Sequence, residues 1–412
     1  MGIPVYFKTL ISQYQDDILV KHPLDIDIDI LCLDLNCLIH PCCRSIMASE
    51  TPRDESKMID TIVLSIETIL KYTNLTDILY IAIDGVAPKA KMKQQRERRH
   101  KSIYEKKVWD TNSISPGTYF MEKLHHSLRE WIQDNNTYHI LLSDSNEPGE
   151  GEHKIIEYLR HTDTSDRTVS IYGLDADLIM LGLNHLKGRK LFLFRETPEF
   201  IKSIDRNLTP NENYILDLPY FSIKLKQDMK IKCNSDYLSD YIFLCFFLGN
   251  DFLPHFPSVC IRTNGLDILL NAYTETNVKR GTKLIENGKI QWNHVKKLII
   301  FLADMEYKNL IKEYKIRDKM ESYNNPKIDK MQTIPIKNRS LEKYINPFKP
   351  YWENRYYDSL FFCKNINSIC INYLEGLEWV YNYYTTGCMD WRWYYKYNYP
   401  PLLKDLVIYF PN

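Results

Sequence analysis

Seven acidic side chains in this sequence stand where they could bind divalent cations. Each comes just after an apolar run that predicts a buried strand or helix. They are Asp34, Asp84, Glu150, Glu152, Asp175, Asp177 and Asp251. Singly, such residues usually form turns or cap helices, and acids in the first turn of a helix also suit its dipole. Together at one edge of a sheet they would repel one another strongly unless cations neutralised their charges.

The chemistry of these carboxylates favours Mg²⁺. Carboxylate oxygens are hard ligands, which suit Mg²⁺ and make Mn²⁺ a plausible substitute. Two such ions held about 3.5–4 Å apart can activate a water and stabilise the leaving oxygen of a phosphodiester. The acid set therefore predicts two-metal hydrolysis of a phosphodiester, with all seven residues as metal ligands.

A basic stripe begins shortly after Asp84. Lys91, Gln95, Arg98 and Arg99 stand at i, i+4, i+7 and i+8, so they share one face of a helix. Nine basic and two acidic residues lie between 89 and 107, whereas the whole chain balances 53 basic against 53 acidic residues. A solvated basic face is the ordinary alternative. Because the stripe starts near the acids, we expect it to bind a terminal phosphate through charge-assisted hydrogen bonds.

Strand and helix patterns alternate between residue 25 and about 200. Apolar, β-branched runs predict strands over 30–36, 78–84, 138–144, 168–173 and 190–195. Stretches of helical pattern cover 57–72, 89–107, 117–134, 150–161 and 175–186. This alternation predicts an α/β fold with a mostly parallel central sheet flanked by helices on both faces. Ligands of such sheets bind beyond the carboxyl ends of the strands, which is where the acids fall.

The rest of the chain divides by composition. Residues 234–249 predict a buried helix, and the density of Trp and Tyr rises sharply from about 346. We therefore expect a core over 1–265 that carries the metal site and the basic helix, a helical region with a connector over 266–345, and an aromatic-rich segment over 346–412. Most of these aromatic side chains must pack in a core, but one or two exposed tryptophans could stack on bases. His40 could also stack on a base, although a structural histidine is the ordinary alternative.

Composition excludes several classes of protein. Apolar residues make up 44% of the chain, which is enough for a core and excludes wholesale disorder. No apolar run reaches ~18 residues and no basic-then-apolar leader begins the chain, so we expect neither a membrane span nor secretion. We expect the cytoplasm, with the nucleus left open. Cys32, Cys37, Cys42 and Cys43 surround His40, but their spacing fits no common zinc site, so reduced thiols are the better interpretation.

Ten segments of the sequence resemble the XRN family of 5′→3′ exoribonucleases, and their order is kept over nearly the whole chain. The earlier ones include Leu-Asp-Leu-Asn at 33–36, Ile-Asp-Gly-Val-Ala-Pro-Lys at 83–89 and Tyr-Gly-Leu-Asp-Ala-Asp-Leu at 172–178. The later ones include Leu-Gly-Asn-Asp-Phe-Leu-Pro-His at 248–255 and Trp-Arg-Trp-Tyr-Tyr at 391–395. In full, the matching segments are 1–7, 33–36 with 39–40, 82–99, 115–118, 147–155, 172–181, 248–255, 373–379, 391–395 and 399–401.

The resemblance implies a PIN/FLAP-like nuclease core with the aromatic-rich C-terminal segment packed on it and completing the pocket. It implies processive removal of 5′-mononucleotides from 5′-monophosphorylated single-stranded RNA, as in RNA decay. The seven acids would hold the Mg²⁺ ions, and Lys91, Gln95, Arg98 and Arg99 would bind the 5′-phosphate. His40 and either Trp391 or Trp393 would stack on bases and help exclude duplex.

Three points qualify this interpretation. Cys37 replaces the glycine that the family usually has at this position, which affects the expected backbone geometry next to Asp34. The short connector and the end at 412 lead us to expect a compact member without further C-terminal domains. A flap-type DNA endonuclease and a catalytically inactive RNA-binding scaffold are the rival functions, and the presence of all seven acids argues against the second.

Overall fold

The computed structural model describes residues 6–20, 23–49, 53–104, 109–186, 188–196, 209, 212–231, 237–322, 338–361 and 365–411. These residues form two compact units. The first is made of Tyr6–Lys226 with Asn382–Trp393, and the second of Gln227–Tyr381 with Tyr394–Asn412. The division of the chain into three regions at residues 265 and 345 was expected from composition, and it stays a prediction. None of the described helices combines the length and apolar character needed to cross a bilayer.

A seven-stranded sheet forms the centre of the first unit. Its strands are β1 (Leu19–Val20), β2 (Asp27–Asp34), β3 (Asn74–Ala82), β4 (His139–Ser143), β5 (Thr168–Tyr172), β6 (Lys190–Glu196) and β7 (Asn213–Asp217). Their order across the sheet is β1-β7-β6-β5-β2-β3-β4. The pairs from β6 to β4 are parallel, whereas β7 pairs antiparallel with β6 and with β1. The predicted α/β class with a mostly parallel sheet is confirmed.

Strand β2 is buried on both faces of the sheet. Its residues from Ile30 to Asp34 are all buried, although successive side chains point to opposite faces of a strand. Near-continuous apolar sequence is typical of strands between two helical layers. The carboxyl ends of β5, β2, β3 and β4, which are neighbours in the sheet, therefore open together at one protected edge.

Helices connect and cover these strands. They are α1 (Tyr6–Ile18), α2 (Asn36–Met47), α3 (Glu55–Lys71), α4 (Lys89–Tyr104), α5 (Tyr119–Asp134), α6 (Gly151–His161), α7 (Asp177–His185) and α8 (Leu218–Asp228). All five predicted helices between 57 and 186 are found, with ends that move by a few residues. Residues 105–107 of the predicted basic helix lie outside the described residues.

The second unit is mainly helical. Its elements are α9 (Leu238–Phe246), α10 (Gly265–Thr276), the short hairpin β8 (Ile285–Glu286) and β9 (Lys289–Ile290), α11 (Trp292–Ser322), α12 (Ser340–Ile345), α13 (Trp352–Leu360), α14 (Ile366–Thr385) and α15 (Leu403–Leu406). Helix α9 confirms the predicted buried helix, of which 234–236 fall outside the described residues. Trp352, Tyr356 and Tyr357 pack in one apolar cluster, as expected for most aromatic residues of the tail. The last residues of α14 and the segment up to Trp393 belong to the first unit.

Candidate metal and phosphate site

The carboxyl ends of β2 and β3 place the first two predicted acids close together. Asp34 is the last residue of β2 and pairs in register with Ala82, the last residue of β3. Asp84 comes two residues later, and its backbone N–H donates to Asn36 Oδ1 over 3.0 Å. Gly151 contacts both acids, because its N–H donates to Asp84 Oδ1 at 2.6 Å and a Cβ at 151 would stand 2.8 Å from Asp34 Oδ1. A side chain at 151 would therefore displace the carboxylate of Asp34.

The helices that follow β4 and β5 supply the next four acids. Glu150 is the N-cap residue of α6, and Glu152 lies in the first turn of that helix. Asp177 is the first residue of α7, two positions after Asp175. Glu150, Glu152 and Asp177 are buried. Six of the seven predicted acids thus come from the ends of four neighbouring strands.

Five of these six acids line one cavity of about 230 Å³. Its lining includes Asp34, Asp84, Lys91, Gln95, Glu150, Glu152, Asp175 and His40. Asp177 does not line this cavity. After burial, however, the charge of Asp177 is the largest cause of the raised pKa of Glu152. The acids and part of the basic stripe therefore face the same space.

Burial and mutual repulsion raise the pKa values of several carboxyls. Burial raises the pKa of Asp34, and the charges of Asp84 and Asp175 raise it further. Burial is also the main cause of the raised pKa of Asp84, followed by the charge of Glu150. Burial and neighbouring acids raise the pKa of Glu152 well above its usual range. Each of these anions would be stabilised by a cation placed among them.

Two carboxylate oxygens at this edge also lack partners. Asp34 Oδ1 and Glu152 Oε2 are buried and have no hydrogen-bond partner within the described part of the chain. A buried polar atom in that state is unfavourable unless a ligand satisfies it. Glu150, Glu152 and His153 offer ligand atoms within 4.8 Å of one another. Since most donors are carboxylate oxygens, the residues present fit Mg²⁺ or Mn²⁺.

The basic face of α4 runs from these acids towards the surface. Lys91 is buried, and its Nζ forms an ion pair with Glu150 Oε2 at 2.5 Å. Gln95 is half-buried, and Arg99, one turn further on, is exposed and donates to Ser115 Oγ over 3.2 Å. Arg98 belongs to the same helix, but its side chain lies outside the described residues.

A second cavity, of about 250 Å³, shares part of its lining with the first. Both linings include Asp84, Gln95 and His40, and the second also includes Arg99. His40 is exposed, as a residue that stacks on a ligand must be. The predicted phosphate-binding residues that are described therefore line two neighbouring cavities, which both include Gln95 and Asp84.

The two candidate tryptophans lie in the tail segment that belongs to the first unit. The backbone carbonyl of Trp391 accepts a hydrogen bond of 3.0 Å from the N–H of Lys89, the first residue of the basic helix. Trp391 is 41% exposed, whereas Trp393 is half-buried. Trp391 lines a third cavity, together with His153 and Tyr383, rather than the two cavities described above. Which of the two tryptophans stacks on a base stays a prediction.

Asp251, the seventh predicted metal ligand, belongs to the second unit. It is half-buried and follows α9, after a left-handed turn at Gly249. Its assignment as a metal ligand stays a prediction.

Three residues of this edge were given no role from the sequence. The Tyr383 hydroxyl donates to Glu150 Oε1 over 2.8 Å, and the His153 ring stacks on Tyr383 with centroids 3.7 Å apart. Lys154 Nζ donates to the backbone carbonyls of the residues that follow β3 and β4, at 2.8 and 2.7 Å. In the sequence, only the high density of aromatic residues in the tail pointed to Tyr383. Nothing in the helical pattern distinguishes His153 and Lys154 from ordinary residues of α6.

The described cysteines form no disulfide with one another, and their reduced state in solution stays a prediction. Every described cysteine is free, and Cys32 is fully buried within β2. Cys37, where the resemblance leads us to expect glycine, lies in the first turn of α2. Its thiol donates to Asp34 Oδ2 over 3.3 Å. The helix accommodates this residue without unusual backbone geometry, since Cys37 has no positive φ.

Comparison with known proteins gives two family models that match in chain order. The model described as "XRN 5'-3' exonuclease N-terminus" matches residues 1–108 and 101–197, and "Xrn1 helical domain" matches 233–347 and 344–409. The chain is 28% identical to a 5'-3' exoribonuclease 2 homolog of Drosophila melanogaster, over 99% of this chain and 61% of that protein. It is 30% identical to 5'-3' exoribonuclease 2 of Eremothecium gossypii, over 82% of this chain and 46% of that protein.

Solved structures show a weaker likeness. The catalytic core of Rad2 in complex with DNA substrate is 12% identical, with a TM-score of 0.43 over 82% of this chain and 85% of that one. The sequence comparisons are the stronger finding, although the chain spans less than two thirds of the length of these exoribonuclease relatives. Because models of two successive regions of one family cover nearly all of the sequence in order, the chain belongs to the XRN 5′→3′ exonuclease family.

Proposed function

We propose that this chain is a divalent-metal-dependent 5′→3′ exoribonuclease. Its substrate would be 5′-monophosphorylated single-stranded RNA, degraded processively to 5′-mononucleotides, and its biological role RNA decay. The observation that carries the proposal is the cavity of about 230 Å³ that five carboxylates share with the buried end of a basic helix. Hydrolysis of a phosphodiester beside a bound terminal phosphate requires these two features next to each other.

The acids would hold two Mg²⁺ ions, with Mn²⁺ as a substitute. The six carboxylates of the first unit are the primary ligands in this proposal, and Asp251 is the seventh. When bound, such ions activate a water and stabilise the leaving oxygen of a phosphodiester. The chain itself orients the ligands, since Lys91 and Tyr383 contact the two oxygens of Glu150 and Gly151 donates to Asp84.

The basic face would recognise the 5′ end of the RNA. Lys91 and Gln95 line the acidic cavity, and Gln95 and Arg99 line the second one. A phosphate bound there would receive donors from one helix face, and Arg98 would add another. His40 and either Trp391 or Trp393 would stack on bases, which requires unpaired nucleotides and so favours single strands. The stripe offers donors for one terminal phosphate, so we expect a triphosphate or a cap to be accepted poorly.

A comparison of three RNAs tests this proposal. RNAs of one sequence with a 5′-monophosphate, a 5′-triphosphate or a 5′-hydroxyl are incubated with the protein and Mg²⁺, and the products are identified by chromatography. We expect mononucleotides from the 5′ end of the monophosphorylated RNA and much slower degradation of the other two. Equal rates on all three would exclude recognition of the 5′-phosphate. Internal cuts in branched DNA would support a flap-type endonuclease instead.

Two pairs of variants assign the roles. Asp175→Ala or Asp177→Ala should abolish turnover without changing the far-ultraviolet circular dichroism of the protein, and full activity in both variants would remove the metal assignment. Arg99→Ala should slow the degradation of monophosphorylated RNA. Arg96→Ala, an exposed residue of the same helix outside the stripe, is the matched control and should leave that rate unchanged.

A further inference from the structure

The main chain just before Asp175 is held at Leu174 by two side chains. The N–H of Leu174 donates to Cys37 Sγ over 3.3 Å. The carbonyl of Leu174 accepts a hydrogen bond of 2.9 Å from Arg195 Nη2. The preceding N–H, of Gly173, donates to the carbonyl of Phe194 over 3.2 Å. The short segment that carries Asp175 is thus fixed from α2 on one side and from β6 on the other.

Cys37 also contacts the acid at the end of β2. Its thiol donates to Asp34 Oδ2 over 3.3 Å, while Oδ1 of the same carboxylate has no hydrogen-bond partner in the described ranges of the chain. The contact fixes the rotation of the Asp34 carboxylate and leaves the second oxygen available to a ligand. One sulfur atom therefore sets both the orientation of Asp34 and the position of the backbone next to Asp175.

Arg195 adds a buried positive charge behind this segment. It is 6% exposed, and its guanidinium carbon lies 3.5 Å from the centroid of the Phe7 ring. Burial lowers the pKa of Arg195 to about 10, so the side chain remains charged at neutral pH. The charge of Asp175 acts favourably on this cation. Arg195 therefore offsets part of the repulsion among the acids while it binds the carbonyl of Leu174.

We propose that Cys37 and Arg195 are positioning residues that hold Asp34 and Asp175 in the arrangement needed to bind divalent cations, an inference that rests on the proposed metal-dependent function. Neither residue is one of the predicted metal ligands. They act through the two acids, as hydrogen-bonding partners of metal ligands do in other proteins. Glycine at position 37 would lose both sulfur contacts, and with them the link between Asp34 and the segment before Asp175.

Binding of Mn²⁺ to the metal-free protein, without RNA, tests the role of Cys37. Cys37→Ala removes both contacts, and we expect its Mn²⁺ affinity in isothermal titration calorimetry to fall about tenfold, the lower end of the range for such partners because a thiol is a weak donor. Cys37→Ser keeps a donor and an acceptor and should recover most of the affinity. Cys42→Ala is the matched control, since the Cys42 thiol contacts Ser65 on α3 at 3.2 Å.

Hydrogen exchange provides a second measurement that needs no metal. In metal-free protein the amide of Leu174 should exchange faster in Cys37→Ala than in the wild type, and Cys37→Ser should restore the slow rate. A general loss of stability would instead speed exchange throughout the sheet. Arg195→Lys keeps the positive charge but loses the guanidinium that reaches the Leu174 carbonyl, so it should weaken Mn²⁺ binding through lost positioning alone. Wild-type Mn²⁺ affinity in Arg195→Lys would overturn the role of Arg195.

The outcomes separate this inference from the proposed function. Wild-type Mn²⁺ affinity in Cys37→Ala, or an equal loss in Cys42→Ala, would overturn the positioning role. A wild-type protein that binds Mn²⁺ but degrades no RNA would contradict the exoribonuclease proposal, and the effect of Cys37→Ala on metal affinity would still support the positioning of the two acids.

Discussion

Substitution of Lys91 by Met removes the positive charge that lies among the acids. Lys91 Nζ stands 2.5 Å from Glu150 Oε2, and the two side chains are only 7% and 4% exposed. Removal of one partner from a buried ion pair usually costs about 3–5 kcal/mol, because the remaining charge is left uncompensated. We expect the lower end, about 3 kcal/mol, since the Tyr383 hydroxyl still donates to Glu150.

Thermal unfolding of the protein with and without divalent cations measures this effect. For a unit of roughly 200 residues, about 3 kcal/mol corresponds to a fall of roughly 6 °C or more in Tm. With EDTA present, Lys91→Met should show the full fall, and saturating Mg²⁺ should narrow the gap because a bound cation replaces the missing charge. Arg96→Met, an exposed residue of the same helix, should keep the wild-type Tm in both conditions. A wild-type Tm for Lys91→Met in EDTA, or a gap that Mg²⁺ leaves unchanged, would refute the reasoning.

Two further predictions concern the same acids. The pKa values of Asp34, Asp84 and Glu152 are raised, so the folded, metal-free chain binds more protons than the unfolded chain and its Tm should fall as the pH rises above the ordinary carboxyl range. Mn²⁺ binding should therefore release protons near neutral pH, which calorimetry in buffers of different ionisation enthalpy measures. The absence of proton release would contradict the raised pKa values. Tyr383→Phe removes a hydrogen bond to the charged Glu150, worth about 1.5–3 kcal/mol, and should weaken Mn²⁺ binding roughly tenfold. Tyr119→Phe, at an exposed position, is the control and should keep the wild-type Mn²⁺ affinity. Equal Mn²⁺ affinities of Tyr383→Phe and the wild type would show that Glu150 needs no such donor.

Local sequence patterns were sufficient to predict the parallel part of the sheet. Each of β2 to β5 is a short apolar run followed by a helical stretch, and β6 is a run of the same kind, so these signals come from neighbouring residues. The position of Asp34, Asp84 and Asp175 at strand ends then followed from the geometry of parallel sheets alone. The convergence of six acids could be predicted because one rule applies to every parallel strand.

Features that depend on distant contacts could not be predicted in this way. Strand β7 and the two-residue β1 form an antiparallel edge, and nothing in their short apolar runs indicates a direction. The link from Tyr383 to Glu150 joins residues 233 positions apart. The role of Cys37 depends on the contact of its sulfur with the N–H of Leu174, which lies in the connection after β5. Pairings of this kind become visible only when the chain is folded.

The discontinuity of the first unit has a consequence for how the protein is made. Translation completes the seven strands by residue 217, yet the segment Asn382–Trp393 that closes the unit follows about 160 residues later. Contacts across such a separation form slowly, because loop closure must precede them. The emerging polypeptide therefore carries an unfinished acidic pocket until the segment Asn382–Trp393 has been made, because the end of helix α14 supplies the Tyr383 hydroxyl to Glu150.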